Sequence, residues 1–349
     1  MGPMYQGVIY ALLAAALFGA STPFAKQLIG TLPPVLLAGL LYGGSGIGLS
    51  CVYLFRRSRG VAIAGLSSTD LPWLGGAILA GGVIAPVLLL YGLSVTAAST
   101  ASLLLNLESV LTAVLAWWAF RENFDRRIAL GMWAIVGGCV LLSWNGMSGD
   151  GALAGSIAII AACLCWAIDN NLTRKVSASD AVQIACIKGL VAGGVNLGIA
   201  AALETALPEL KAAALAATLG FIGYGLSLVL FVLALRLLGT ARTGAYFSLA
   251  PFVGAALSLA LLGERPGPLF WVAGVLMAIG LWLHLTESHG HDHEHEPMEH
   301  AHSHRHDDHH QHEHADDWDG REPHVHPHAH APLRHAHPHY PDIHHRHDH

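Results

Sequence analysis

The sequence predicts an all-α polytopic membrane protein: ten transmembrane helices forming two inverted five-helix repeats, followed by a disordered, His-rich tail. Three observations carry this. Of 349 residues, 53% are hydrophobic and only 12% charged, with a mean hydropathy of +0.49, against about 25% charged in an ordinary soluble domain. The charge is also segregated. Residues 1–285 hold 14 Lys and Arg against 10 Asp and Glu, whereas the last 64 hold 4 against 14, with 23 of the 24 histidines. Finally, the two halves of the apolar part resemble each other in register.

A bilayer core needs about 20 mainly apolar residues per helix. Ten segments meet this, at roughly 5–29, 34–55, 71–92, 96–119, 127–145, 152–173, 180–203, 213–237, 240–262 and 267–285. The start, Met1-Gly2-Pro3-Met4-Tyr5-Gln6, lacks the positive n-region of a signal peptide, and the apolar run after it outlasts an h-region. It is read as the first permanent span. Short polar connections such as Arg56-Arg57-Ser58-Arg59-Gly60 make adjacent helices antiparallel neighbours. A transmembrane barrel would need alternating strands of about ten residues, which this Ala/Leu/Gly composition does not supply. Alternate connections carry ten Lys and Arg, from Arg56 to Arg242; the other set carries Lys26, Lys211 and Arg265. Ten against three predicts an inner-membrane protein with both termini in the cytoplasm.

The repeat is read from paired positions. Phe18-Gly19-Ala20-Ser21-Thr22-Pro23-Phe24-Ala25-Lys26 aligns with Trp166-Ala167-Ile168-Asp169-Asn170-Asn171-Leu172-Thr173-Arg174, and Glu122 with Glu264. Gly131 and Gly137 align with Gly274 and Gly280. The expected units are residues 1–147 and 148–285, with the tail at 286–349. Five spans per half is an odd number, so the second half crosses the membrane upside down. Such inverted repeats mark secondary transporters that bind substrate near midplane.

Ten spans in two halves, each ending its fourth span near Arg121-Glu122 or Gly263-Glu264-Arg265, resemble the EamA branch of the drug/metabolite transporter superfamily. Trp166–Arg174 and Leu238-Gly239-Thr240-Ala241-Arg242-Thr243-Gly244-Ala245-Tyr246-Phe247 are similar to one bacterial subgroup of it. The resemblance covers about residues 5–285 and implies an exporter or permease for a small organic solute. Members often carry proline in the middle of the fourth span. Here the ninth span has Pro251, but the fourth has Glu108 at the matching position.

Ionisable groups inside spans cost about 2.5–3.5 kcal/mol on insertion scales and are functional candidates by default. Glu108 falls near midplane and Lys188 about eight residues into the seventh span, depths compatible with a pair. Glu108 is then a proton or cation site, or half of a structural ion pair. Ser99, Ser102, Asn106 and Ser109 form one polar stripe at helical spacing, with Glu108 at its edge. The stripe serves a site or hydrogen bonds between helices. Asp169, Asn170 and Asn171 cover most of the sixth helix's circumference, so one faces a cavity unless the helix has reached the headgroups. Trp166 one turn earlier, and Tyr224 and Tyr246 in the next spans, could form a cavity wall or merely pack. Pairs such as Gly39/Gly43 and Gly189/Gly193 give the small-xxx-small spacing of close helix contacts. The five cysteines lie in apolar runs and suggest neither disulfide nor thiolate site.

In the tail, histidines alternate: His291, His293 and His295; His300, His302, His304 and His306; His324, His326, His328 and His330; His335, His337 and His339. An extended chain carries alternate residues on one side, a spacing suited to Zn, Ni or Co ions. A solubilising segment or a charge switch titrating near 6.5 are the alternatives. The expected partners are the lipid bilayer, a small-molecule solute and divalent transition metals, in a monomer or homodimer. No cofactor is required. The acidic tail argues against nucleic acid, and no nucleophile–base pair or P-loop suggests an enzyme. Two functions remain: a transporter of a small organic metabolite with a metal-binding regulatory or buffering tail, or a transporter or handling factor for a transition-metal cation or its chelate.

Overall fold

The computed structural model describes residues 3–60, 65–120, 126–145, 152–177 and 179–285, with 289–294, 298–304, 324–330 and 334–339 in the tail. Among the described residues of the apolar part every regular element is a helix. Eight helices among the described residues are long and apolar enough to cross a membrane, and two shorter apolar helices, Ala129–Ser143 and Pro268–Leu283, stand where the fifth and tenth spans are expected. Their outer faces leave large side chains such as Ile47, Leu130, Trp133 and Trp271 exposed. A bilayer covers such a surface; water would not.

In chain order the helices are α1 (Pro3–Ile29), α2 (Pro34–Ser58), α3 (Leu71–Ala77), α4 (Ala85–Val95), α5 (Ala98–Leu104), α6 (Leu107–Phe120) and α7 (Arg126–Asn145) in the first half. The second half has α8 (Ala152–Val176), α9 (Ala181–Ala202), α10 (Leu210–Leu219), α11 (Ser227–Phe247), α12 (Ala250–Leu262) and α13 (Pro268–Leu285). The third and eighth spans each contain a seven-residue π segment, Ile78–Ile84 between α3 and α4 and Gly220–Leu226 between α10 and α11. These occupy matching places in the two halves. Pro86 has no N–H to offer the Gly82 carbonyl one turn back, and Asn196 Nδ2 donates to that carbonyl instead, at 3.3 Å.

The fourth and ninth spans are both broken, between α5 and α6 and between α11 and α12, again at matching places. Asn106 competes with the helix by donating Nδ2 to the Leu103 carbonyl at 3.0 Å. In the ninth span the helix restarts with Pro251 in its first turn, where a missing N–H costs nothing. The eighth and ninth spans are joined helically: α11 runs through Leu238–Arg242, where a polar connection is expected.

The largest interfaces join one half to the other: α2 with α9, α1 with α11, α7 with α13, α4 with α8 and α5 with α12. Glycines permit the closest of these. A Cβ on Gly189 would lie 2.5 Å from the backbone nitrogen of Gly46, and one on Gly193 would strike Gly43. Gly194 and Gly198, on another face of α9, meet nothing within 4 Å. In the tail, β1 (His289–Glu294) pairs antiparallel with β4 (Arg334–His339), and β2 (Met298–His304) with β3 (His324–His330). His291 stands opposite His337, His293 opposite His335, His300 opposite His328 and His302 opposite His326. His295 and His306 lie outside the described residues.

Candidate functional site

A cavity of about 610 Å³, its open mouth included, lies where α1, α2, α6, α8, α9 and α11 converge on the second π segment. Six aromatic rings line it. Phe18 stands at the centre of this group, with ring centroids 5.8 Å from Trp166, 5.6 Å from Tyr224 and 5.6 Å from Phe247. Tyr42 lies 5.5 Å from Tyr224, and Phe231 4.9 Å from Phe247. The polar edges of two rings turn into the wall: Tyr42 Oη and Trp166 Nε1 both donate to the Gly81 carbonyl, at 2.7 and 3.0 Å. That carbonyl belongs to the first π segment, whose altered ladder opens carbonyls to outside donors.

The charged groups come from three helices. Lys188 Nζ on α9 donates to both carboxylate oxygens of Asp169 on α8, 2.5 Å from Oδ1. Thr173 Oγ1 donates to the same Oδ1 at 2.9 Å. The side chains of Lys188 and Asp169 are 4% and 6% exposed, so each charge depends on the other for compensation. Gly81 makes room for the pair, since a Cβ there would collide with the Asp169 carboxylate. Glu108 occupies the first turn of α6, where the helix dipole favours a carboxylate. It accepts from Asn170 Nδ2 at 2.8 Å. Lys188 is therefore committed to Asp169, and the expected pairing with Glu108 is corrected: Asp169 takes the ammonium through both oxygens, while Glu108 is met by the neighbouring Asn170.

The cavity gathers Glu108, Lys188, Trp166, Asp169, Asn170 and Tyr224 from the residues the sequence singles out. Three others turn elsewhere. Asn106 is buried beside Met277 of α13. Asn171 Nδ2 donates to the Thr112 and Ala167 carbonyls, tying α8 to α6. Tyr246 packs on a small cluster of Ala11, Ala234 and Leu238. The Ser99–Ser102 stripe faces α12, where Ser102 closes on Gly254. Sequence reasoning missed Phe18, Tyr42, Ser45, Phe231 and Phe247. Phe18 carried a usable signal, because it aligns with Trp166 in the repeat.

Polar clamps close both ends of the bundle. At one end Arg56 of α2 grips Asp180 with two bonds of 3.1 and 2.9 Å, while Asp180 caps α9 by accepting from Gln183 N at 3.0 Å. Arg236 of α11 donates to the Ser177 and Ser179 carbonyls beside it. At the other end Lys26 of α1 donates to the Leu93 and Thr96 carbonyls at 2.5 and 2.9 Å. There Glu264 accepts from Ala98 N and Ser99 N, at 2.7 and 2.9 Å. Glu122, its counterpart in the repeat, lies outside the described residues. Among the described residues no three His, Cys, Asp or Glu side chains converge on a site for a metal ion.

The EamA-like transporter family matches the chain twice, over residues 5–144 and 153–286. The two matches start at the offset that aligns Phe18 with Trp166. A protein of Methanothermobacter thermautotrophicus, described as an uncharacterized transporter, is 29% identical over 296 residues, which span 79% of this chain and 85% of the relative. A solved crystal structure superposes with a TM-score of 0.61, covering 80% of this chain and 96% of the other. At 17% identity that likeness is one of fold alone.

Proposed function

The chain belongs to the EamA-like transporter family, and we propose that it is a secondary transporter of a small organic metabolite, working by alternating access. It is a multi-pass membrane transporter rather than an enzyme. The cavity carries the finer reading. It lies between matching elements of the two repeats, beside a π segment from each and the break in the fourth span, and broken helices are where secondary transporters hold their substrates. Its lining is mostly apolar with a few convergent polar groups, the composition of a small-molecule site. Glu108 is the coupling residue in this scheme. The clamps of Arg56–Asp180 and Glu264–Ala98, each joining one repeat to the other, are the contacts that open in turn.

The cavity lining includes two carboxylates and neither His nor Cys, too few ligands for a bare transition-metal cation as cargo. The tail is where metal binding is proposed, as a regulatory or buffering function on the cytoplasmic side. The His-against-His backbone register of both ladders supports it. The test is flux into proteoliposomes holding the protein with and without residues 286–349, screened against metabolites and Zn²⁺, Ni²⁺ and Co²⁺ together. Flux of an organic solute retained without the tail is expected; flux of the metal ions alone overturns the reading. A periplasm-active reporter after His349 is expected to stay silent.

A further inference from the structure

We propose that the cavity selects an organic monocation, a protonated amine carried on an apolar or aromatic body. The inference rests on the cavity being the transport site. Its first ground is charge. Asp169 and Lys188 cancel each other through two direct bonds, so Glu108, when ionised, leaves the cavity with one negative charge in excess. Asn170 is the only side chain among the described residues bonded to that carboxylate. A half-buried carboxylate answered by one neutral amide has acceptor capacity for a cationic donor.

The second ground is the supply of donors. A substrate carboxylate needs an ammonium, a guanidinium or several N–H and O–H groups to receive it. Here Lys188 is held by Asp169, Tyr42 and Trp166 donate to Gly81, and Ser227 Oγ donates to the Ala14 carbonyl at 2.9 Å. The ammonium and the ring N–H around the cavity are thus spent on the protein itself, which leaves the neutral hydroxyls of Tyr224 and Ser45 in its lining. Acids and zwitterions therefore lack a cationic partner for their negative end.

The third ground is the ring cluster. With their polar edges engaged in the wall, Tyr42 and Trp166 contribute aromatic surface, as do Phe18, Phe231 and Phe247. Aromatic surface attracts a cation through the ring quadrupole and packs against an apolar body. Carboxylate and rings line one cavity, so one ligand can use both.

The experiment is calorimetric titration of the full chain in detergent with three probes sharing one phenyl body: 2-phenylethylammonium, zwitterionic phenylalanine and 3-phenylpropionate. The ammonium is expected to bind at least tenfold more tightly than either other probe. Glu108→Gln is expected to weaken it at least tenfold, and Glu108→Asp to keep most of the affinity. No binding of the ammonium, equal binding of phenylalanine or 3-phenylpropionate, or unchanged affinity in Glu108→Gln overturns the proposal. Should Glu108→Gln fail to fold, the ranking of the three probes on the wild-type chain decides. Proteoliposome flux separates the two readings. Flux of an acid or neutral solute without ammonium binding sinks the cation site alone, whereas ammonium binding without flux of any solute sinks the transporter reading.

Discussion

Phe18 and Trp166, equivalent positions in the two repeats, meet edge to face with ring centroids 5.8 Å apart. Two residues related by a pseudo-twofold touch only if both lie close to its axis. Their contact therefore marks the axis as passing beside the cavity that both rings line. A site beside such an axis draws on both halves, as the proposed alternating access requires of two halves that rock against each other. Replacing Phe18 with Leu is expected to lower transport while leaving the folded yield near wild type, as read by flux and size-exclusion profile.

Glu108 faces the cavity from the first turn of α6 with Asn170 as partner. If it is the coupling site, Glu108→Gln removes driven uptake and leaves expression largely intact, while counterflow exchange persists once substrate is raised at least tenfold to offset the weaker binding. Parallel measurement of the two flux modes checks this. Uptake equal to wild type would rule out the coupling function.

The Lys188–Asp169 pair predicts a different pattern. Removing one partner strands a buried charge, which costs about 3–5 kcal/mol. Lys188→Met and Asp169→Asn should each lower folded yield sharply. The double variant should recover most of it, because no unpaired charge remains. Yield and melting temperature in detergent report the outcome.

Close approach of α2 and α9 depends on glycines of both helices, Gly189 and Gly193 against Gly46 and Gly43. Gly193→Leu drives a side chain into Gly43, and overpacking of this kind costs about 1–3 kcal/mol or more. Gly194→Leu, on a face where nothing lies within 4 Å, is expected to be nearly neutral. Melting temperatures of the pair give the comparison.

Glu264 closes one end by capping the first turn of α5. Glu264→Gln keeps an oxygen acceptor but loses the charge, at about 1 kcal/mol. The expected result is a modestly lower melting temperature, with greater labelling of a cysteine placed at Ala97 by a membrane-impermeant reagent.

The tail predicts a pH-dependent metal load. Imidazoles bind metal only when neutral, and their ordinary pKa is about 6.5. Protons therefore win as pH falls through that value. The full chain should hold several more Zn²⁺ or Ni²⁺ ions than a chain ending at Leu285 at pH 7.5, and release most by pH 5.5. Equal metal content in both, measured after dialysis, would remove the metal function from the tail.

Span positions, the internal repeat and the separate character of the tail were all legible in the sequence. The reason is that a bilayer reads composition: about 20 apolar residues form a helix across it whatever their neighbours. The cavity was legible only in part. Asp169, Asn170 and Asn171 are consecutive, and each step turns about 100° around the helix. One residue meets Lys188, the next Glu108 and the third the backbone of α6. Which residue goes where depends on the rotation of α8 against its neighbours, and no local pattern encodes that. The π segments compound the difficulty, since each changes the residues per turn and rotates the faces that follow. Tertiary packing therefore decided that Lys188 pairs with Asp169 and that Asn106 and Tyr246 turn away. It also brought Tyr42, Phe231 and Phe247 to the same cavity as Phe18 and Trp166.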